Sequence, residues 1–363
     1  MEQDFEIYAV DPAAEIRERE EIIRLLATCS LGFEEHLSAV VVARRNGRLI
    51  ACAGLEHDIV KCVTIVPEER GGAISLLLMN EVFQIAQEKG HGHLFLFTRP
   101  ENVAFFQGCG FHSLAEVPQY VTLMENSPIG IRRYCDRLNM YRRPGETIGG
   151  IVINANPFTY GHQYLIRKSA QDCDWLHVFV VAEDASFISY SDRYQLVKSG
   201  ICGMPNITLH HGSRYMVSRA TFPEYFFKEK NVAGDCCTAI DLLVFRNFIA
   251  PAIGITHRFV GTEPFCSTTR KYNDDMKQWL QKAPSSAPPI TVIEEERLMS
   301  AGVPISASQV RRLLRSGDFD QIKTLVPPAT YQLLLQKYRP SITPFASEPD
   351  AEPEHRLLAA VSI

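Results

Sequence analysis

At 363 residues the chain is longer than one ordinary domain, so two are expected. Hydrophobic residues make up 46% and charged residues 22%, the balance of a chain that buries a core in water. The formal net charge of −5 argues against a general nucleic-acid binder, whose surface is expected to be basic, and no apolar run approaches the roughly 18 residues of a membrane helix. The opening MEQDFEIYAVD is acidic and lacks the basic region of a secretory signal. Ten cysteines are scattered with no C-x2-C pair, so reduced thiols in a cytoplasmic protein are expected rather than a disulfide frame or a zinc site. The vicinal pair Cys236-Cys237 is read as structural.

Residues 4–10 read as a strand, and Ala14 to Cys29 as an amphipathic helix that buries Ile16, Ile22, Ile23, Leu25 and Leu26. SAVVVARRNG and RLIACAGLE are strands that meet at Asn46-Gly47, a hairpin turn. DIVKCVTIV is a further strand, running into a glycine-rich turn and a long helix, PEERGGAISLLLMNEVFQIAQEKG. The strand HLFLFT and the segment ENVAFFQGCGFHSL close this part near residue 125.

That order, with V-P-E-E-R-G-G-A before the helix and N-V-A-F-F-Q-G-C-G-F after the next strand, resembles a GNAT acetyltransferase domain. The resemblance implies a loop of the form R/Q-x-x-G-x-G/A that wraps the pyrophosphate of a CoA-like ligand with backbone N–H groups. By position Arg70 opens that loop and Gly71 and Gly72 follow, while Ala73 and Ser75 stand where glycine and Gly/Ala are usual. Asn102, Phe106, Gly110 and Phe111 match the second element, with Phe105, Phe106 and Phe111 expected in the core. Glu56, His57 and Glu68 qualify as general bases only because they flank strand ends. His91 and His93 form an H-x-H without further ligands, and no metal site is expected.

Residues 126–147 are rich in arginine and read as an exposed connector with a short helix at 131–142. From residue 148 strands and helices alternate: IVIN, helix 162–173, LHVFVVA, helix 191–200, NITLHH, helices 218–231 and 238–249, HRFVGT, helix 268–282, TVIEEE and helix 307–316. Alternation of this kind implies βαβ units and a parallel sheet with its ligand at the carboxyl edge. Thr238 and Asp241 look like a capping box. Residues 339–363, rich in Pro, Ser and acid, read as a flexible tail. The domains expected are thus 1–125, a connector at 126–147, 148–338 and the tail.

The chemistry is expected at 148–170, where a short apolar run gives way to NANPFTYGH and then to a helix. A helix N-terminus at a strand end offers unpaired N–H groups and a positive dipole, an anion site. The turn, with Asn154, Asn156, Pro157, Phe158, Thr159, Gly161 and His162, resembles the Gly-His motif of HxGH nucleotidyltransferases, with Thr159 in the first-histidine place and His162 in the second. ISASQVRRLL at 305–314 resembles the second motif of that superfamily, matched by Ser306, Ser308 and Arg311. Hydroxyls and a dipole at a helix start, with an arginine on its first turns, suit phosphate oxygens. Arg312 and Arg315 are expected in solvent. HRFVGTEPF ends in a polar turn whose Gly261 and Thr262 suit a nucleotide and whose Glu263 suits a substrate or magnesium, with Arg270 a further phosphate candidate.

Together, NANPFTYGH, T-x-I-D-L-x-x-F-R-x-x-I-A-P-A, ITHRFVGTEPF and ISASQVRRLL behind a GNAT-like domain resemble the citrate lyase ligase family over about residues 5–338. The fold implied is a GNAT-like α+β domain followed by a Rossmann-like, parallel-sheet nucleotidyltransferase domain. The activity implied uses ATP, Mg2+ and acetate to acetylate the thiol of a dephospho-CoA-derived arm on the acyl-carrier subunit of citrate lyase. It passes through acetyl-adenylate and switches the lyase on, with no nucleic acid or membrane partner. His162, Thr159 and Arg311 would then serve the phosphates. Two alternatives stay open: an adenylyltransferase of the phosphopantetheine or nicotinamide-mononucleotide type, and a GNAT acetyltransferase with a nucleotide-sensing C-terminal domain.

Overall fold

The computed structural model describes residues 5–29, 31–182, 186–218, 230–263 and 267–338. The chain forms two units, Met1–Arg133 with Arg219–Ile240, and Tyr134–Ser218 with Asp241–Ile363. The expected tail and most of the expected helix 218–231 lie outside the described residues.

The first unit is built on β1 (Glu6–Val10), α1 (Ile16–Thr28), β2 (Ala39–Arg45), β3 (Arg48–Glu56), β4 (Ile59–Ile65), α2 (Ile74–Glu88), β5 (Phe95–Thr98), α3 (Val103–Gly108), β6 (His112–Val117) and β7 (Val121–Glu125). Its strands form one sheet in the order β1-β2-β3-β4-β5-β7-β6. Asn46 and Gly47, at φ 49° and 78°, make the tight β2–β3 turn that their residue types foretell. β4 and β5 are parallel but pair only at Ile59↔Phe95 and Val60↔Leu96, so the two strands part beyond that point. Arg70–Gly72 form an exposed loop before α2, with Gly71 at φ 80° and the Arg70 Nε donating to Ile65 O at 3.0 Å.

Two expectations about burial fail here for one geometric reason. α1 buries Ile22, Leu25 and Leu26, but Ile16 and Ile23 are 68% and 40% exposed. At about 100° per residue Ile16 lies about 120° around the helix from Ile22, and Ile23 about 100°. Phe106 and Phe111 are core residues, whereas Phe105, one step around α3, is exposed.

The arginine-rich stretch holds α4 (Gly130–Asn139), within which the division between the units falls. Ile131, Tyr134 and Leu138 are buried at helical spacing, and Arg132, Arg133 and Arg137 are exposed.

The second unit continues with β8 (Ile148–Ile153), α5 (Tyr160–Gln171), β9 (Trp175–Val180), α6 (Tyr190–Gly200), β10 (Ile207–His211), α7 (Lys230–Val244), which enters from the first unit, α8 (Ala250–Ile253), β11 (His257–Gly261), α9 (Ser267–Met276), β12 (Thr291–Glu295), a small hairpin of β13 (Met299–Ser300) and β14 (Val303–Pro304), α10 (Ala307–Ser316), α11 (Phe319–Leu325) and α12 (Pro328–Leu333). Its main sheet runs β10-β9-β8-β11-β12 with every pairing parallel. The strand order reverses between β8 and β11, which places a ligand crevice outside their carboxyl ends.

The hairpin, α11 and α12 were not expected from sequence. α10 and α11 pack Val310, Leu314, Ile322 and Leu325 into a small core of their own with Ile188, Ile305 and Leu334. The capping box does not exist, because α7 starts at Lys230 and Thr238 and Asp241 lie inside it. Asp241 instead accepts the Val217 N–H at 2.6 Å and the Tyr272 hydroxyl at 3.2 Å.

Candidate functional site

At the end of β8 the turn Asn154–Thr159 is buried throughout. Thr159 caps α5: its Oγ accepts the His162 N–H at 3.4 Å, while His162 Nδ1 accepts the Thr159 N–H at 3.0 Å. This is a capping box in which a ring nitrogen replaces the usual carboxylate. A backbone N–H can only donate, so Nδ1 is the acceptor and the neutral ring carries its proton on Nε2. Nε2 is buried and has no hydrogen-bond partner among the described residues. Burial, then the charges of Arg297 and Arg311, push the His162 pKa down to about 3. The ring is therefore neutral at pH 7 and presents an N–H donor.

The other turn residues hold this geometry. Phe158 stacks on the His162 ring at 5.6 Å, and Gly200 leaves it room: a Cβ there would sit 2.1 Å from Phe158 Cε1. The fully buried Arg193 donates to Asn154 O at 2.9 Å, Asn154 Oδ1 at 2.8 Å, Val181 O at 2.9 Å and Ile188 O at 3.1 Å. Asn156 Oδ1 accepts the Ile188 N–H at 3.0 Å, across the cis peptide bond from Pro157. The side-chain oxygens of Asn154 and Asn156, expected to meet a nucleotide, are thus engaged in shaping the turn, and Phe158 belongs to the core. The Thr159 hydroxyl, 2.8 Å from His162 Nδ1, likewise orients the histidine rather than reaching for an anion itself.

The second motif arrives at the same place. Ser306 caps α10, accepting the Gln309 N–H at 3.2 Å. Arg311 donates from Nη1 to Asn156 O at 2.6 Å, joining residues 155 apart in sequence, and from Nη2 to Ser308 Oγ at 3.0 Å. A Cβ on Gly161 would meet Ile305 O at 2.9 Å, so glycine is what lets the two motifs approach. Arg312 and Arg315 are exposed, as expected.

Beyond β11, the Thr262 N–H donates to Glu295 O at 2.9 Å. Arg297, which nothing in the sequence singled out, donates from Nε to Thr262 O at 2.5 Å and pairs with the Glu263 carboxylate; both side chains are 6% exposed. The Glu263 carboxylate, expected to meet a substrate or magnesium, forms this ion pair. Arg270 is exposed and donates to Glu263 O at 3.1 Å. Gly161, Tyr164, Gly261, Glu296, Arg297 and Ile305 line a small cleft between the motifs. Among the described residues no group of three or more His, Cys, Asp or Glu is placed to hold a metal. The Arg70–Gly72 loop belongs to the first unit.

A doubly wound parallel sheet with a helix N-terminus, a neutral histidine donor and converging arginines at its switch point defines a phosphate-handling unit of the nucleotidyltransferase class, joined to a unit of the acetyltransferase type. The family described as "Citrate lyase ligase C-terminal domain" matches residues 148–334, and "Acetyltransferase (GNAT) family" matches residues 4–111. The citrate (pro-3S)-lyase ligase of Klebsiella pneumoniae is 48% identical over 318 residues, 88% of this chain and 93% of its own. That of Escherichia coli is 47% identical over 88% of this chain and 91% of its own, and that of Haemophilus influenzae 43% identical over 84% and 91%. The chain belongs to the citrate lyase ligase family, whose members are enzymes.

Proposed function

We propose that the second unit joins acetate to ATP as acetyl-adenylate, releasing pyrophosphate, and then hands the acetyl group to the thiol of the acyl-carrier subunit of citrate lyase, releasing AMP. The observation that carries this reading is the convergence of His162 Nε2–H and Arg311 beside the helix start at Gly161. An acetate oxygen attacks the α-phosphorus and the bond to pyrophosphate breaks. Acetate arrives ionised, so this step needs no protein base; it needs charge neutralisation and alignment. His162 Nε2–H and the α5 N-terminus serve the α- and β-phosphates, and Ser306, Ser308 and Arg311 the β- and γ-phosphates. Gly261 and Thr262 border the nucleoside. The partner's thiol then attacks the acyl carbon, which makes no cysteine of this chain catalytic.

The donor set fits Mg2+ only through the nucleotide. With Glu263 paired to Arg297, Mg2+ would be bound through the nucleotide rather than by a carboxylate of this chain, and it would supply neutralisation of phosphate charge beside Arg311 and Ser308. The first unit fits a CoA-like ligand: β4 and β5 part after two residue pairs, and Gly71 at φ 80° leads an exposed loop onto α2. We assign that unit to the dephospho-CoA-derived arm of the carrier. We infer a cytoplasmic setting, with which the free cysteines among the described residues agree.

ATP–pyrophosphate exchange against a panel of small carboxylates tests the reading. Exchange that depends on acetate is the expected result. Exchange that instead requires a phosphomonoester, or acetyl-CoA-dependent acetylation without exchange, overturns it. Arg70→Glu should leave exchange intact and slow transfer to the carrier; equal transfer rates remove the role given to the first unit.

A further inference from the structure

An acidic protein that carries one unneutralised basic strip invites the question of what the strip meets. Between residues 131 and 145 the chain holds Arg132, Arg133, Arg137, Arg142 and Arg143 against the single acid Asp136, in a protein of net charge −5. All five arginines are exposed, and among the described residues none of them pairs with a carboxylate. Three are held in place. Arg137 lies over the Tyr134 ring at 6.0 Å, Arg142 Nη1 donates to Pro251 O at 2.7 Å, and Arg143 lies over the Trp175 ring at 4.9 Å. Between them Met140 and Tyr141 are 73% and 45% exposed. Arginine, tyrosine and methionine around an apolar centre are the residue types enriched in protein interfaces.

The strip also has a defined place in the second unit. Tyr134 stacks on Tyr215, just past the carboxyl end of β10, at 5.5 Å, and Tyr141 meets His210 of β10 at 5.2 Å. α4 and the turn after it therefore cross the β9–β10 half of the sheet. The nucleotide cleft belongs to the other half, beside β11 and β12. α4 begins beside Tyr215, past the carboxyl end of β10, and the turn after it reaches Trp175 at the amino end of β9, so the strip lies along a part of the unit that the nucleotide leaves open.

We propose that the surface of the second unit formed by Arg137, Met140, Tyr141, Arg142 and Arg143 docks a negatively charged face of the carrier protein. This rests on the function proposed above. Charge complementarity selects an acidic protein face; the overall negative charge of the chain disfavours nucleic acid.

The test uses the full-length chain carrying Arg137→Glu and Arg143→Glu, with Arg137→Lys and Arg143→Lys as the charge-conserving control. Affinity for the carrier subunit is measured by calorimetry, and acetyl transfer is followed both to the carrier and to free dephospho-CoA. The glutamate variant should weaken carrier binding about tenfold or more and raise the carrier KM to match. Its acetate-dependent exchange and its transfer to free dephospho-CoA should stay near those of the native chain. Raising the salt should weaken the native complex and leave the variant's nearly unchanged, and the lysine control should bind like the native chain. Unchanged carrier affinity in the glutamate variant overturns the proposal, as does a loss confined to binding of duplex RNA. Charge-dependent carrier binding by a chain that shows no exchange would refute the proposed function and uphold the docking surface.

Discussion

Nδ1 of His162 accepts a backbone N–H, and that one bond decides the tautomer of the whole ring. The proton left on Nε2 belongs to an imidazole whose pKa is pushed down to about 3, so the group is a fixed donor and not a proton shuttle. His162→Ala should lower exchange by roughly 10²- to 10³-fold, the cost of deleting one preorganised donor. His162→Gln, which keeps an N–H of similar reach, should recover part of that loss. The exchange rate should show no limb from this group between about pH 5 and 9, as expected for a group with this shift; a limb near pH 6.5 that vanishes in His162→Gln would show that the ring titrates. Sequence located His162 and Arg311 from their motifs. It could not reveal Arg297, because an arginine after EEE in a polar stretch looks like any solvated charge until its partner, Glu263, is brought beside it.

Strand, turn and helix at 148–171 were legible because each signal is local: an apolar run, a Pro/Gly turn, and helical spacing that begins near His162, two residues after α5 starts at Tyr160. The support behind the turn was not. Arg193 lies in α6 and gives its guanidinium to carbonyls from three other segments. Arg193→Met leaves those buried acceptors unpaired and should cost about 3 kcal/mol or more in denaturant unfolding, with exchange reduced as the turn loosens. Gly200→Ala should act from behind the same site. Its new methyl group overlaps Phe158, on which the His162 ring stacks, so stability and exchange should fall together. A Gly200→Ala chain with native stability and exchange would show that Phe158 is free to move.

Acid should destabilise the second unit selectively. Besides His162, His177 and His210 form a buried pair at 2.9 Å, their pKa values pushed down to about 4 and about 3, chiefly by burial. Each folded value lies below the ordinary 6.5, so between those limits the unfolded chain binds more protons than the folded one. The stability of the neutral histidines is complete above pH 6.5 and is lost as the pH falls toward 4, at no more than about 1.4 kcal/mol per histidine per pH unit. Both tryptophans, Trp175 and Trp279, lie in this unit, so their fluorescence reports its melting alone. The melting temperature read from them should drop between about pH 7 and 5; a flat profile would mean that the histidines are not buried neutral.

The sequence by itself determined the two-part plan, the alternation that makes a parallel sheet, the helix start at Ser306, a helix after the NANPFTYGH turn to within about two residues, and the residue types expected to meet phosphate. All of these depend on periodicity and capping within a few neighbours, where residue type and spacing suffice. Only the tertiary structure decided that Arg311 closes on Asn156, that Glu263 is spent on Arg297, that Thr238 and Asp241 lie inside a helix, and that Nε2 carries the His162 proton. Apart from the last, these outcomes rest on pairings and packing between distant segments, which local spacing does not encode. The last is set by a local bond, but which ring nitrogen would accept it depends on a rotamer that the surrounding core selects.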